Sequence, residues 1–429
     1  MSFPRYPKYK TSGVEWLGDV PWHWEVDRIK RSILSSKNGV WGTEPQHDES
    51  DIPCVRVADF DRQKVRVELN EPTIRNVVQS ERVGRVLCKG DLLLEKAGGG
   101  DLQPVGCVVL YDDERPAVCS NFVARVQVAS NMDASFWRYV HAAAYTVRLN
   151  TRSIKQTSGI QNLDGSQYFD ERAPFPPLPE QTAIAEFLDR ETGKIDELVA
   201  EQRRLMELLK EKRQAVISHA VTKGLNPHAP MKPSGIEWLG DVPEGWEVLK
   251  LKFLCKVQTG DKDTENAVEG GQYPFFVRSQ TVERINSMAF DCEAVLTAGD
   301  GVGVGKVFHY HKGPFDFHQR VYMMSDFQKV SGRFFFHYLK ENFFKVALEG
   351  GAKSTVDSLR RPMFMNFPIC VPTASEQANI VNHIEFETAK FDTLTAESQR
   401  AIDLLQERRT ALISAAVTGR IDVRKPPKN

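Results

Sequence analysis

The seven cysteines of the chain are few and scattered, and the sequence has no CxxC pair. They are Cys54, Cys88, Cys107, Cys119, Cys255, Cys292 and Cys370. A zinc knuckle needs closely spaced cysteine pairs, and a secreted disulfide framework usually has an even number of cysteines. The sequence therefore favours a reducing compartment and predicts the cytoplasm as the location.

The chain also lacks a charge excess and a long apolar run. Its 56 Lys and Arg residues balance 57 Asp and Glu residues, and the formal net charge is −1. Whole-chain electrostatics therefore predict neither a nucleic-acid partner nor a membrane surface, so any basic site has to be local. No run of 18 apolar residues occurs, and the N-terminal MSFPRYPKYK lacks the apolar core of an export signal. We expect a folded protein without a membrane span.

Motifs for covalent, metal or phosphate chemistry are missing as well. The glycine-rich run 298–306 fails the Walker A spacing, and Lys306 is not followed by Ser or Thr, so we interpret the run as a tight turn that needs positive φ. Asp91 and Glu95 would suit a nuclease, but Lys96 stands in the wrong place for the D…(D/E)xK order. The histidines lack HxxxH and HExxH spacing, and methyltransferase cofactor and NPPF-type motifs are absent. We therefore expect no catalytic residue, no metal site and no cofactor.

A long internal repeat is the main feature that the sequence does contain. Residues 180–224 align without a gap on residues 376–420, with 21 of 45 positions identical. Apolar residues recur in both copies at intervals of three and four, which is typical of a coiled-coil seam, and each copy would form a helix roughly 60 Å long. The predicted seam residues are Ile184, Leu188, Ile195, Leu198, Leu205, Leu209 and Val216 in the first copy, and Ile380, Ile384, Phe391, Leu394, Leu405 and Leu412 in the second.

A second repeat precedes each helix. Residues 10–30 and 232–252 share the strings SGxEWLGDVP and WEV, so the order of header, variable body and helix occurs twice. The bodies, roughly 24–177 and 246–373, alternate short β-branched runs with Gly and Asp turns, which predicts a mixed α/β (α+β) fold. Two divergent bodies on one scaffold suggest the same task carried out on two different targets.

These repeats predict the domain boundaries. We expect a first domain at 1–177, a helix at 178–224, a connector and second domain at 225–373, a helix at 374–420 and a tail at 421–429. Thr373 and Glu376 have the spacing of a capping box, and Gly224 marks the end of the first helix. The short connector predicts that the two helices pair within the chain as an antiparallel coiled coil, with a pseudo-two-fold relation between the halves.

Polar, donor-rich loops in each body are the remaining candidates for function. They combine cations suited to phosphates with amides and hydroxyls suited to base edges. Ordinary surface loops often have the same composition, so nucleic-acid binding stays a hypothesis on these residues alone. The candidate DNA-binding residues are Lys96, Ser120, Asn121, Arg152, Ser153, Lys155 and Gln156 in the first body, and Arg278, Lys306, His318, Gln319, Arg320, Lys353, Ser354, Arg360 and Arg361 in the second.

Several motifs together resemble the specificity (S) subunit of type I restriction–modification enzymes. They are the repeated EWLGDVP…WEV header, the glycine-rich turn followed by VGKV and HQRV, the FPI…P lead into Glu-Gln, and paired helices ending in Ala-Val-Thr. The resemblance covers essentially the whole chain. It implies two target-recognition domains that alternate with the two helices, each domain reading one half of a split, asymmetric site in double-stranded DNA.

The resemblance also implies a division of labour. The subunit itself would be non-catalytic and would recruit two methyltransferase (modification) subunits, and then restriction/translocase subunits. The helices would dock the methyltransferases and set the spacer between the half-sites. The main alternative is a non-catalytic coiled-coil scaffold that binds protein or glycan, and a self-contained nuclease or methylase is a more distant one. Neighbouring genes for a methyltransferase and a helicase-nuclease would favour the specificity-subunit interpretation over these alternatives.

Overall fold

Both ends of the chain belong to the same structural unit. The computed structural model describes residues 3–349, 359 and 361–424. Unit 1 combines residues 1–202 with 400–429, and unit 2 contains residues 203–399. The two long helices contribute residues to both units, because each unit boundary falls inside them.

Unit 1 is a mixed α/β body followed by the first long helix. Its strands are β1 Tyr9–Thr11, β2 Asp19–Pro21, β3 Glu25–Arg28, β4 Ile33–Asn38, β5 Asp51–Val55, β6 Phe60–Asp61, β7 Arg66–Val67, β8 Thr73–Asn76, β9 Leu92–Glu95, β10 Ala97–Gly98, β11 Val108–Leu110, β12 Val118–Cys119, β13 Val123–Val128, β14 Ile154–Ser158, β15 Ile160–Leu163 and β16 Arg172–Phe175. Its helices are α1 Gln79–Arg82, α2 Ala134–Thr146, α3 Gly165–Phe169 and α4 Leu178–Lys223, the last of which ends in unit 2.

The sheets of unit 1 explain where its core lies. The largest has the order β4-β13-β9-β11-β7-β6, and β9 is buried along its whole length because it lies inside the sheet. A three-stranded sheet has the order β12-β5-β8, with β12 parallel to β5. Another has the order β10-β15-β14, and the pairs β1-β2 and β16-β3 complete the unit. Helix α2 packs buried aromatic side chains into this core, and Asp133 caps it by accepting from Phe136 N at 2.9 Å.

Unit 2 repeats this plan with fewer elements. Its strands are β17 Met231–Pro233, β18 Asp241–Pro243, β19 Glu247–Lys250, β20 Lys256–Thr259, β21 Tyr273–Phe276, β22 Glu283–Ile285, β23 Phe290–Ala298, β24 Phe308–Phe317, β25 Val321–Ser325 and β26 Pro368–Val371. Its helices are α5 Gly332–Glu349, α6 Arg361–Met365 and α7 Ala374–Val417, the last of which ends in unit 1. The main sheet has the order β20-β25-β23-β24-β21-β22, and β21 runs parallel to β24 as β5 runs parallel to β12.

The Glu-Gln pair at the start of each long helix ties the helix to its own body. Gln181 donates to Pro176 O at 2.8 Å, and Gln377 donates to Pro372 O at 2.9 Å. Each amide oxygen also accepts a backbone N–H of the same unit, at 3.1 and 2.7 Å. Both glutamines are buried, so the repeated dipeptide is a structural anchor.

The two long helices are antiparallel in each unit. In unit 1, Asp196 of α4 binds Arg409 of α7, while Leu188 packs in one cluster with Val417. In unit 2, Arg213 of α4 binds Asp392 of α7, and the later turns of α4 pack on the first turns of α7. The mixed α/β fold with an antiparallel pair of long helices is therefore confirmed. No helix in the described residues is both long and apolar enough to cross a membrane.

The helix ends agree with their sequence signals. At the start of α7, Thr373 N donates to Glu376 Oε2 at 3.1 Å and Glu376 N donates to Thr373 Oγ1 at 3.4 Å, which confirms the capping box. Gly224 follows the last residue of α4 with φ of +77°, a left-handed conformation that ends the helix.

The seam of the helix pair needs one correction. Leu198, Leu205 and Leu394 are 44, 40 and 43% exposed, so the prediction that they lie in the seam is wrong. Their C-terminal neighbours lie further from solvent, and Val199 is 7% exposed. The seam pattern along α4 differs from the predicted one because Thr192, which is polar and only 3% exposed, also lies in the seam. Counting three residues and then four from Thr192 leads to Val199 instead of Leu198. The other predicted seam residues are buried or half-buried: Ile184, Leu188, Ile195, Leu209, Val216, Ile380, Ile384, Phe391, Leu405 and Leu412.

Five exposed leucines on the long helices share one flank of the seam, and we name them the flank leucines. Leu198, Leu205 and Leu394 each stand one residue before a seam position, which is the g position of a heptad. Leu208 and Leu404, 51 and 58% exposed, occupy c positions on the same flank. Since g positions of antiparallel helices border the same side of the seam, the flank leucines form an exposed apolar strip within each unit.

Segments near the two ends of the described chain meet around one buried carboxylate in unit 1. Glu180 accepts from the Tyr6 hydroxyl at 2.6 Å and lies 2.8 Å from His23 Nε2. Arg424 lies 3.7 Å from the same carboxylate and stacks over the Tyr6 ring. Asp422 N donates to the Pro4 carbonyl at 2.7 Å, which adds a backbone contact between the two ends. The first and last described residues therefore hold the start of α4 jointly.

Candidate nucleic-acid interface

A tight turn joins β12 to β13 in unit 1 and exposes two side chains. Ser120 N donates to Val55 O at 2.9 Å, and Val123 N donates to Ser120 O at 2.9 Å, so the turn is fixed at both ends. Asn121 is exposed and Phe122 is 50% exposed at its tip. Gly39 packs so closely that an added Cβ would lie 2.1 Å from the Cys119 carbonyl oxygen. Only glycine fits at position 39, because a side chain would collide with the backbone of the turn. Backbone hydrogen bonds hold the turn.

Lys96 links this turn to the rest of the polar surface. Its backbone N–H donates to Phe122 O at 2.8 Å, and its ammonium group donates to Asn38 Oδ1 at 2.6 Å. Its carbonyl accepts from Leu163 N at 2.8 Å, at the end of the hairpin formed by β14 and β15. The structure thus brings the turn 120–123 and this hairpin to opposite sides of Lys96.

The hairpin carries most of the remaining candidates of unit 1. Lys155 is 69% exposed and binds Asp164 at 2.7 Å, which lowers the pKa of that carboxyl. Gln156 is exposed beside it, and Arg152, 61% exposed, lies 3.9 Å from Glu15. These exposed side chains offer cationic and amide donors, as phosphate and base contacts require, although Lys155 and Gln156 alternate along β14 and point to opposite faces of the hairpin.

Three candidate side chains are buried and cannot offer donors to a ligand. Ser120, Ser153 and His318 are 2, 1 and 2% exposed. The prediction that they contact DNA directly is therefore wrong, because each lies beneath a loop that it supports. His318 Nδ1 accepts from Arg320 N at 2.9 Å, and burial lowers the pKa of His318 although Asp263 lies 3.6 Å away.

Unit 2 contains a turn with the same backbone hydrogen bonds. His318 N donates to Phe276 O at 2.9 Å, and Val321 N donates to His318 O at 3.0 Å. Gly299 takes the place of Lys96, because its N–H donates to Arg320 O at 2.8 Å and its carbonyl accepts from Leu359 N at 2.9 Å. A glycine again passes beneath, since a Cβ on Gly260 would lie 2.0 Å from Phe317 O. The turn 318–321 is the counterpart of the turn 120–123.

The side chains around the second turn are more highly charged. Asp300 binds Arg278 at 2.9 Å and Arg320 at 3.2 Å, so one carboxylate holds two guanidinium groups. Gln319 donates to Asp263 Oδ2 at 2.6 Å. The pKa of Asp263 is lowered, first by the Thr264 backbone N–H and then by Gln319. The two guanidinium groups of this cluster are balanced in formal charge by the carboxylates of Asp300 and Asp263.

The other candidates of unit 2 lie around the glycine-rich run or outside the described residues. Gly301 and Gly305 have φ of +73° and +71°, which confirms the tight turn with positive φ. Lys306 is exposed and its carbonyl accepts from Gln280 at 2.9 Å. Arg361 is exposed and donates to Val257 O at 3.5 Å. Lys353, Ser354 and Arg360 lie outside the described residues.

The two carboxylates that would suit a nuclease are held separately. Asp91 binds Arg125 at 2.7 Å, and Glu95 binds Arg62 at 2.8 Å. Burial raises the pKa of Glu95 although Arg62 opposes that change. Within residues 3–349, 359 and 361–424 there is no group of three His, Cys, Asp or Glu side chains that could hold a metal ion.

Sequence reasoning missed several residues of this surface. Phe122 directly follows the candidate Asn121. An aromatic residue just before a strand is typical of a buried core position, so its exposure was not predicted. Asn38, Asp263 and Asp300 come from distant parts of the chain, and only the sheet pairing brings them to the turns. Both turns end in a valine, Val123 and Val321, and this shared residue was the signal that could have identified Phe122 and Arg320 as equivalents.

Comparisons with known proteins agree with this duplicated plan. The family model described as "Type I restriction modification DNA specificity domain" matches residues 243–402. The EcoDI specificity subunit of Escherichia coli is 31% identical over 182 residues, which are 42% of this chain and 40% of that subunit. The putative MjaX specificity subunit of Methanocaldococcus jannaschii is 20% identical over 95% of this chain and 96% of its own length. The chain is therefore similar in sequence to type I restriction enzyme specificity subunits.

Solved structures of this family share the fold. The HsdS subunit from Thermoanaerobacter tengcongensis matches with a TM-score of 0.52 and 15% identity over 94% of this chain and 98% of that one. A chain from a structure of a type I restriction–modification system, described for its assembly and conformational transition, matches with a TM-score of 0.69 and 15% identity over 93 and 98%. The alignment with the EcoDI specificity subunit spans less than half of that relative.

Proposed function

We propose that the chain is the DNA sequence-specificity subunit of a type I restriction–modification complex. Each body would read one half of a bipartite, asymmetric site in double-stranded DNA. The observation that carries this proposal is the pair of turns 120–123 and 318–321, which have matching backbone hydrogen bonds and different exposed side chains. A duplicated scaffold with unlike tips suits a protein that recognises two unlike half-sites.

Local charge supports binding to DNA by a chain of net charge −1. Lys96, Arg152 and Lys155 supply the cations of the candidate loops in unit 1, and Arg278 and Arg320 share Asp300 in unit 2. Cations facing the phosphates release counterions, so the affinity of the chain alone would fall with rising salt. The proposed domains are 1–177 and 225–373 for recognition, with helices at 178–224 and 374–420 and a tail at 421–429.

The proposal assigns the chemistry to partners in a cytoplasmic complex. Two methyltransferase subunits would dock on the long helices, and restriction/translocase subunits would supply movement along DNA and cleavage, while this chain stays non-catalytic. The flank leucines support docking, because an exposed apolar strip along a helix pair marks a protein-binding surface. Their charged neighbours keep the strip soluble until a partner covers it.

A matched pair of substitutions on α7 tests the docking. Leu394 belongs to the flank leucines, whereas Phe386 is 63% exposed at an f position, about a quarter turn around α7 from Leu394, and is not one of the flank leucines. We expect Leu394→Glu to lose capture of the methyltransferase subunit in co-purification, and Phe386→Glu to keep it. Equal capture by both variants would remove the flank leucines from the docking surface.

The helices would also set the spacer between the half-sites. Deleting residues 199–205 and 399–405 removes one heptad from each helix and preserves the seam phase. Seven residues of helix span about 10 Å, which corresponds to roughly three base pairs. We expect a shorter spacer with unchanged half-sites, and altered half-sites with the same spacer would contradict this role.

Methylome sequencing tests the function as a whole. A host carrying an active methyltransferase partner is sequenced with and without this chain. We expect one bipartite, asymmetric methylated motif to disappear when the chain is absent. An unchanged methylome in that host would refute the proposed function.

A further inference from the structure

The two turns match in burial as well as in hydrogen bonding. The first residue is 2% exposed in both, as Ser120 and His318, and the second is exposed, as Asn121 and Gln319. The third residue is half-exposed in both turns. Phe122 is 50% exposed in unit 1, and the side chain of Arg320 is 57% exposed in unit 2. The backbone thus presents two positions, and the chemistry at those positions is what differs between the units.

We propose that the exposed pair of each turn reads base edges, and that Arg320 selects a guanine in the half-site read by unit 2. The inference rests on the proposed function and assigns the specificity-determining residues within it. Asn121 and Phe122 form the reading pair of unit 1, and Gln319 and Arg320 form that of unit 2.

The chemistry of the two pairs indicates different bases. Arginine donates two parallel hydrogen bonds to guanine O6 and N7 in the major groove, whereas an amide side chain pairs with adenine. Phe122 has no polar atom and suits the methyl group of thymine. The turns therefore differ in the property that distinguishes one half-site from another.

The position of Arg320 favours a base contact over a phosphate contact. Asp300 binds its guanidinium at 3.2 Å and also binds Arg278 at 2.9 Å. A guanidinium has five N–H donors, so donors remain free to point away from Asp300. The hydrogen bond from Nη1 to Asp300 and the closed turn restrain the guanidinium, and such restraint favours bidentate recognition.

A binding profile of the assembled complex tests the inference. The chain is purified with its methyltransferase partner, and its affinity is measured for duplexes in which each base pair of both half-sites is varied in turn. We expect Arg320→Ala to remove an approximately 5- to 150-fold preference for guanine at one position. Arg320→Lys keeps the charge but not the planar fork, so it should weaken the same preference. Phe122→Ala should change one position in the other half-site only.

Controls separate this result from a general loss of binding. Lys256 is exposed beside Ser325, at the end of β25 remote from the turn, and Lys256→Ala should leave the profile unchanged. Thermal unfolding of each variant checks the fold, and Arg320→Lys keeps the charge that Asp300 needs. A wild-type complex without any sequence preference would refute the proposed function. A specific wild-type complex whose Arg320 variants keep the profile, or weaken all sequences equally, would overturn this inference alone.

Discussion

Replacing Glu341 by Gln is expected to stabilise unit 2 at alkaline pH and to leave it nearly unchanged at acidic pH. Glu341 lies on α5, is 4% exposed, and accepts a hydrogen bond from Gln214 of α4. Burial raises the pKa of its carboxyl to about 7 from the usual 4.5, although Lys340, Lys345 and Arg213 oppose that change. The folded chain therefore binds this proton more tightly than the unfolded chain does.

The sign of the pH dependence follows from this difference. The stabilisation of the folded chain by the protonated Glu341 carboxyl is fully present below pH 4.5 and is lost as the pH rises through about 7. One pKa unit corresponds to about 1.4 kcal/mol, so the ionised carboxyl costs about 3 kcal/mol at pH 8. Gln keeps the size of the side chain and an acceptor for Gln214 but never ionises, so the variant avoids that cost.

The assay compares the free energy of unfolding of both proteins from pH 5 to pH 8. Urea unfolding is followed by circular dichroism, and hydrogen exchange of the α5 amides shows that the change belongs to unit 2. Glu207, whose side chain is 73% exposed, supplies the control Glu207→Gln, which should change stability by less than about 0.5 kcal/mol at every pH. An equal effect of Glu341→Gln at pH 5 and pH 8 would refute the reasoning.

Three further predictions concern the surface and the helices. Lys155→Ala and Lys353→Ala should each weaken binding to all DNA sequences and make the slope of log K against log salt shallower by about 1. Unchanged slopes in both variants would remove both loops from the proposed interface. Thr373→Ala removes the capping box of α7 and should cost about 0.5–2 kcal/mol, seen as faster hydrogen exchange in its first turn. Arg409→Ala leaves Asp196 without its buried partner and should cost about 2–3 kcal/mol in thermal unfolding. The double replacement of Arg409 and Asp196 by Leu should cost less, and a larger cost would contradict the desolvation argument.

The sequence predicted the helices well because their signals are local. The heptad spacing, the capping residues around Thr373 and the glycine after Lys223 all act within a few residues of the backbone they determine. The phase of the seam could not be predicted in the same way. Thr192, Thr388 and Ser398 are 3, 9 and 4% exposed, so polar residues occupy seam positions that an apolar pattern skips.

The candidate interface was harder to predict because it is built from distant segments. The turn 120–123 takes its shape from β5, β9 and Gly39, which lie at other places in the chain. The polar composition of the loops identified Asn121 and Arg320 but also selected the buried Ser153. Composition reports which donors a loop contains, whereas the sheet pairing decides which donors reach the surface.

The division of the chain into units has a consequence for its synthesis. Unit 2 occupies one continuous stretch, residues 203–399, whereas unit 1 needs residues 400–429 to complete its core. Ile413, Ala416 and Val417 pack there against Leu188. The ribosome therefore synthesises the first part of unit 1 before any of unit 2. Unit 2 is nevertheless the first unit whose residues have all been synthesised. A premature stop codon after residue 399 would leave unit 2 whole and damage the body encoded at the opposite end of the gene.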